Sequence, residues 1–209
     1  MEKNLNEFFN FPIYDYSSTQ LNLPVEWCNT LLKYSVEHIK DDDLKEINDR
    51  EIEFHVTLLY GIIDKQPDQV LNIIKNDFKN QAVEIKLGKV NKFRNDNQDV
   101  IKIDVNDYTG VLEEMYYKIK KSVYNESKYS IYHPHITLAY VKPGLCEEMV
   151  GDSIFEGKRI LLDIFKFSSQ EKHKTQFIKL QSGFEKLDEM RTLYKLYFSY
   201  LNGEESNGR

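Results

Sequence analysis

The sequence predicts an α+β fold of two lobes, with helices packed outside antiparallel sheets. Three observations carry that expectation. At 209 residues the chain is long for one domain and short for two. A single bilobal domain over residues 1–202, with a disordered tail at 203–209, is therefore the economical reading. Segments of period two alternate with segments of period 3.6, and no Pro- or Gly-rich linker divides them. Finally, one six-residue word occurs twice, as His55-Val56-Thr57-Leu58-Leu59-Tyr60 and His135-Ile136-Thr137-Leu138-Ala139-Tyr140. The 80 positions between the copies place one in each lobe.

Residues 1–12 lack strong periodicity and read as an arm docking through Phe8, Phe9 and Phe11. From Tyr16, alternation sets Thr19, Leu21 and Leu23 on one face and Tyr16, Ser18, Gln20 and Asn22 on the other, a half-buried strand. Pro24 suits the first turn of a helix carrying Leu31, Leu32, Val36 and Ile39, which ends before the acidic loop Asp41-Asp42-Asp43. Residues 51–61 form the first motif strand, with Phe54, Val56, Leu58 and Tyr60 expected toward the core and His55, Thr57 and Leu59 opposite. A second amphipathic helix follows Pro67, then strands at 82–90 and 99–105 around a polar loop. A third helix covers 108–124, and the second motif strand, 134–141, repeats the first with Ile136, Leu138 and Tyr140 inward. Residues 144–157 read as a loop with room for a short helix. Residues 159–167 and 175–180 read as a hairpin, and 184–201 as a last amphipathic helix.

Composition excludes several classes of protein. A hydrophobic content of 41% is ample for a sizeable core. A net charge of −6 and a pI near 5.5 argue against a life on duplex nucleic acid, though not against a small anion held in a locally basic cleft. Cys28 and Cys146 lack metal-ligand spacing and read as reduced thiols. No apolar run approaches the ~18 residues of a membrane span, and the polar start is not a signal peptide. The expectation is a soluble, cytoplasmic protein of unassigned oligomeric state.

With five His and seven Thr in the chain, random placement yields about 0.2 His-x-Thr triplets. Two, in matching apolar frames, point to one site built twice. A lone triplet of this kind is usually a polar surface pair; the duplication reverses those odds. Two imidazoles flanking one cleft can divide the work of general base and general acid near neutral pH. The neighbouring Thr hydroxyls can donate to non-bridging phosphate oxygens. The reaction suited to His55, Thr57, His135 and Thr137 is phosphodiester cleavage without a metal, since two imidazoles alone make a poor metal site. Tyr16 and Gln20 are candidates for base stacking and base-edge contact. His133 is a candidate orienting or rim residue beside His135. His38 reads as a helix-end dipole contact and His173 as part of a solvated hairpin tip.

The paired His-Val-Thr-Leu and His-Ile-Thr-Leu resemble the two signature motifs of the 2H phosphoesterases, which include the 2′-5′ RNA ligase-like proteins and cyclic phosphodiesterases. Residues 16–20 with Leu23-Pro24, 54–61 and 133–144 are similar to one branch of that superfamily. That branch includes phage enzymes that destroy the cyclic oligonucleotide messengers of bacterial anti-phage signalling (anti-CBASS). Ser168-Ser169 also fits the superfamily pattern, and the similarity spans roughly residues 14–182. The resemblance implies a bilobal fold with a pseudo-two-fold axis through a central V-shaped cleft, and metal-independent catalysis by His55, Thr57, His135 and Thr137 without a cofactor. The substrate expected is a small cyclic oligonucleotide, cleaved in the host cytoplasm if the protein is viral. RNA end processing at 2′,3′-cyclic phosphates or 2′-5′ linkages is the enzymatic rival. A non-catalytic sponge that sequesters a messenger is the rival of another class.

Overall fold

A computed structural model describes residues 15–64, 67–129, 131–171 and 174–180. The expected N-terminal arm, the last helix at 184–201, the tail and His173 lie outside them. Eight strands form one antiparallel sheet: β1 (Ser17–Asn22), β2 (His55–Ile62), β3 (Val83–Phe93), β4 (Asp99–Asn106), β5 (His135–Val141), β6 (Arg159–Leu162), β7 (Ile164–Ser168) and β8 (Gln176–Lys179). Among the described residues three longer helical stretches accompany it, α1 (Val25–His38), α2 (Asp68–Ile73, continuing as a wider turn through Phe78) and α3 (Val111–Ser122), with single tight helical turns at Asp41–Asp43 and Glu147–Met149.

The strand order β6-β3-β4-β5-β2-β1-β7-β8 is a palindrome of roles about its centre. A first lobe (β2, β1, β7, β8) and a second (β5, β4, β3, β6) meet where β2 pairs with β5. The two expected sheets are thus continuous, through a single register pair, Val56 opposite Ile136. β1-α1-β2 and β4-α3-β5 are corresponding units, and each helix packs on the opposite motif strand: α1 on β5, α3 on β2. The exchange ties the lobes together over a shared apolar core. Val56 and Ile136 are both fully buried in it, each worth about 1.5–3 kcal/mol of burial.

Beyond their one pair, β2 and β5 diverge, and the chain following each unit's helix fills the gap. Residues 44–51 run along β5, with Lys45 N–H donating to Tyr140 O, Tyr140 N–H to Asp49 O and Glu51 N–H to Leu138 O. Residues 124–126 do the same for β2, through Ile63 N–H to Tyr124 O and Glu126 N–H to Gly61 O. Gly61 is required there, because its φ is +88° and a Cβ would lie 3.0 Å from the Ser127 backbone nitrogen.

Residues 159–167 are not one arm of a hairpin. Only β7 pairs with β8, whereas β6 pairs with β3 at the far edge of the sheet. Asp163 alone separates them, its carboxylate ion-paired to Lys179. Two residue steps span at most about 7 Å, so the sheet curls until β6 and β7 come together at Asp163. The inner position of β1, between β2 and β7, also explains why it is almost wholly buried where a half-exposed strand was expected.

Candidate active site

The single β2–β5 pair joins the middle residues of the two His-x-Thr triplets. Strand alternation sends Val56 and Ile136 into the core, which leaves His55, Thr57, His135 and Thr137, all partly exposed, on the cleft side. Antiparallel pairing at that point is itself a local two-fold axis, so each triplet is the rotated image of the other.

The two rings are held alike. His55 Nδ1 lies 2.6 Å from the carbonyl oxygen of Glu53, and His135 Nδ1 lies 2.7 Å from that of His133. A carbonyl only accepts, so each Nδ1 carries the proton it donates. Nε2 is left in both rings as the nitrogen that can take up or give a proton. Burial lowers the pKa of His135. The bond to the His133 carbonyl opposes that, the charges of Lys102 and His55 add to it, and Asp104 opposes it more weakly.

After each Thr the alternation breaks. β1 skips from Thr19 opposite Leu59 to Gln20 opposite Thr57, and β4 from Ile101 opposite Ala139 to Lys102 opposite Thr137. The same bulge is therefore built into both lobes, at Leu58 and Leu138, and it inverts the facing of the next residues along each strand. Leu59 and Ala139 are buried, while Tyr60 is 48% exposed and Tyr140 partly exposed. The expectation that both tyrosines face the core, and Leu59 away from it, is thereby corrected. Burial pushes the Tyr140 phenol up to about 12, with Thr137 opposing the shift.

The flanks differ. In the first lobe Gln20 lies opposite Thr57 and Asn22 opposite His55, both buried. Gln20 Nε2 donates to Asn22 Oδ1 at 3.1 Å, and Asn22 Nδ2 to Glu53 at 2.7 Å. Lys166 grips both oxygens of that carboxylate at 2.7 Å. This network steadies the residue whose carbonyl tethers His55. It also leaves Gln20 as a buried member of the cleft floor. Tyr16 stands at the rim, edge-on to Tyr60 at 5.8 Å, its hydroxyl donating to Glu126 at 2.6 Å.

In the second lobe Lys102 lies opposite Thr137 and Asp104 opposite His135. Lys102 is ion-paired to Asp104, which also accepts from Asn91 Nδ2 at 2.9 Å. The Phe93 ring stands edge-on to His135, 4.9 Å between centroids at 87°. A cavity of about 310 Å³ opens here, lined by Phe93, Lys102, Asp104, Val105, His133 and Pro134.

The structure therefore brings His55, Thr57, His135 and Thr137 together at the axis, with Gln20 beside Thr57. Tyr16 lies on one rim. His133 contributes its carbonyl to His135 and lines the cavity on the other side. Sequence reasoning missed Tyr60, Tyr140, Lys102, Asp104 and Phe93. The tyrosines did leave a signal, since both copies of the repeated word end in Tyr. Among the described residues no three His, Cys, Asp or Glu side chains are grouped to hold a metal ion, and no helix is long and apolar enough to cross a membrane.

A duplicated imidazole pair on a curled antiparallel sheet defines a class, the phosphoesterase-type hydrolases. The family model of the 2′-5′ RNA ligase superfamily matches residues 28–156, and the chain belongs to that superfamily. Solved structures share the fold at low identity. Kluyveromyces marxianus Usb1 with uridine monophosphate is 9% identical, with 79% of this chain and 98% of that one covered at a TM-score of 0.56. E. coli LigT complexed with 3′-AMP is 15% identical over 80% and 95%, at 0.52. TT0787 of Thermus thermophilus is 12% identical over 79% and 95%, at 0.51. Among curated proteins none matches.

Proposed function

We propose that this protein cleaves a phosphodiester in a small nucleotide by general acid–base catalysis at His55 and His135, with no metal or other cofactor in the reaction. The observation that carries the proposal is the twin tether, which protonates both Nδ1 atoms and commits both Nε2 atoms to the cleft. One Nε2 removes the proton of the attacking hydroxyl or water and the other protonates the leaving oxygen. Thr57 and Thr137 donate to the non-bridging oxygens between them. Binding alone needs no pair of titratable rings, which weighs against a sponge.

The substrate proposed is a cyclic oligonucleotide messenger, in the manner of anti-CBASS immune evasion in a host cytoplasm. Support comes from the two rims. Tyr16 and Tyr60 lie on one side of the axis, and the Phe93–His133–Pro134 cavity on the other. Each phosphodiester of a cyclic oligonucleotide carries a nucleoside on both sides, whereas a 2′,3′-cyclic phosphate end carries one. The RNA-end reading keeps its own support in the family to which the chain belongs.

The test offers the protein cyclic dinucleotides, a cyclic trinucleotide and an RNA ending in a 2′,3′-cyclic phosphate, with EDTA present, and identifies products by mass spectrometry. Linear products from a cyclic oligonucleotide at the highest rate are expected. Faster opening of the RNA end moves the assignment to end processing. Release of intact ligand on heating identifies a sponge, and loss of turnover on chelation sinks the metal-free mechanism.

A further inference from the structure

We propose that Lys102 helps divide the labour between the two imidazoles, its position beside His135, with no counterpart beside His55, adding to the burial of that ring so that His135 is the base and His55 the acid. The inference rests on the acid–base reaction proposed above and adds a positioning residue to it.

The two-fold axis supplies the comparison. The slot opposite Thr57 holds Gln20, and the corresponding slot opposite Thr137 holds Lys102. The slot opposite His55 holds Asn22, and that opposite His135 holds Asp104. Two neutral amides in one lobe thus face a cation and an anion in the other. The first lobe's cation, Lys166, is one strand farther from the axis, opposite Gln20 on β7, and clasps Glu53. Lys102 is on the strand next to His135 and only 5% exposed. It lies over the Phe93 ring at 4.4 Å, and that ring is edge-on to His135.

The groups facing His135 are few: Lys102 and Asp104 from β4, His55 from β2, the His133 carbonyl on its own approach, and the uncharged Phe93 and Asn91 from β3. Burial is the largest influence holding this ring neutral, and the pull of Lys102 outweighs that of Asp104. A ring kept neutral at neutral pH is ready to accept a proton. As the new O–P bond forms, the attacking oxygen's proton passes to His135 Nε2. As the old bond breaks, the leaving oxygen takes the proton from His55 Nε2, and exchange with water restores both.

The experiment uses uridine 3′-(p-nitrophenyl phosphate), whose leaving group needs no proton, beside the dinucleotide UpU, whose leaving group does. His55→Ala is expected to lose about 10²-fold or more on UpU and to recover most of that loss on the aryl ester; His135→Ala stays impaired on both. Histidine ring-proton NMR gives the second readout. Lys102→Gln raises the titration of His135, moving the ascending limb of the pH–rate profile with it, and Lys102→Arg leaves both in place. Rescue of His135→Ala in place of His55→Ala, or a His135 titration unmoved in a folded Lys102→Gln protein, overturns the assignment while the acid–base reaction stands. A wild-type protein inert on both esters and on every nucleotide of the panel above overturns the reaction and the assignment together.

Discussion

The first and second lobes place a histidine by the same means and surround it with different chemistry. Both use a strand that pairs once across the axis, a carbonyl two residues upstream that fixes Nδ1, a bulge one residue after the Thr, and a following segment that fills the divergence. The neighbours of each motif strand then part company: Gln20 and Asn22 on one side, Lys102 and Asp104 on the other. Backbone geometry thus sets where the imidazole nitrogens sit. The next strand out sets what charge each one feels.

Removing the shared part breaks the comparison most severely. His55→Ala and His135→Ala should each lower turnover about 10²–10⁴-fold, measured on whichever nucleotide the product analysis selects, with EDTA changing nothing. Full activity in either variant means the duplication is not the mechanism.

A stability difference between the lobes comes next. In the second lobe the fully buried Lys92 ammonium bridges Asp99 at 3.0 Å and Glu147 at 2.5 Å, tying the β3–β4 hairpin to the loop after β5. Lys92→Met strands the Asp99 carboxylate and should cost about 3–5 kcal/mol, read from urea unfolding. In the first lobe Gly61→Ala forces a left-handed backbone on a residue with a Cβ, an expected loss of about 1–2 kcal/mol. Equal losses for the two variants would remove the distinction.

The acid limb of stability sharpens the same point. Burial alone would raise the Asp99 pKa, but the Gly144 N–H, the Lys92 ammonium and the Asn95 N–H together hold it below the ordinary carboxylate range. Hydrogen bonding to Lys92 and Arg94 holds Glu147 low as well. Groups with depressed folded values stabilise above the unfolded carboxylate pKa, near 4, and that stability is lost as pH falls through the folded values. The melting temperature should therefore fall steeply below about pH 4, and Lys92→Met should flatten that fall. On turnover, a smaller effect than that of the histidine variants is expected for Thr57→Val and Thr137→Val, each about 10–100-fold, the worth of one hydrogen bond to a charged oxygen.

Much of this was legible from the chain. The repeated word, its spacing and strand alternation through Thr57 and Thr137 place four polar groups on one side of two core-anchored strands. Alternation then misleads, because Leu58, Leu59 and Tyr60 are all compatible with burial, and only the register against β1 shows that a bulge intervenes. Lys102 sits in a stretch that reads as an ordinary amphipathic strand. The role proposed for it rests on lying opposite Thr137, a pairing made by tertiary structure. The hairpin expected over 159–180 failed at Asp163, a single residue that sends the chain from one edge of the sheet to near the other.

The placement of β1 bears on how the protein is made. Its register partners on one side are β2 residues about 40 positions away, and on the other β7 residues nearly 150 positions later. During synthesis at a ribosome, β1 and β2 can pair early, but one edge of β1 stays open until β7 has emerged. The first lobe, though first in the chain, is thus finished last. The interval exposes the unpaired edge of a strand destined for burial, where loop-closure entropy is large and mispairing most damaging. Substitutions in β7 that leave the finished site untouched should therefore lower soluble yield out of proportion to their effect on the stability of purified protein.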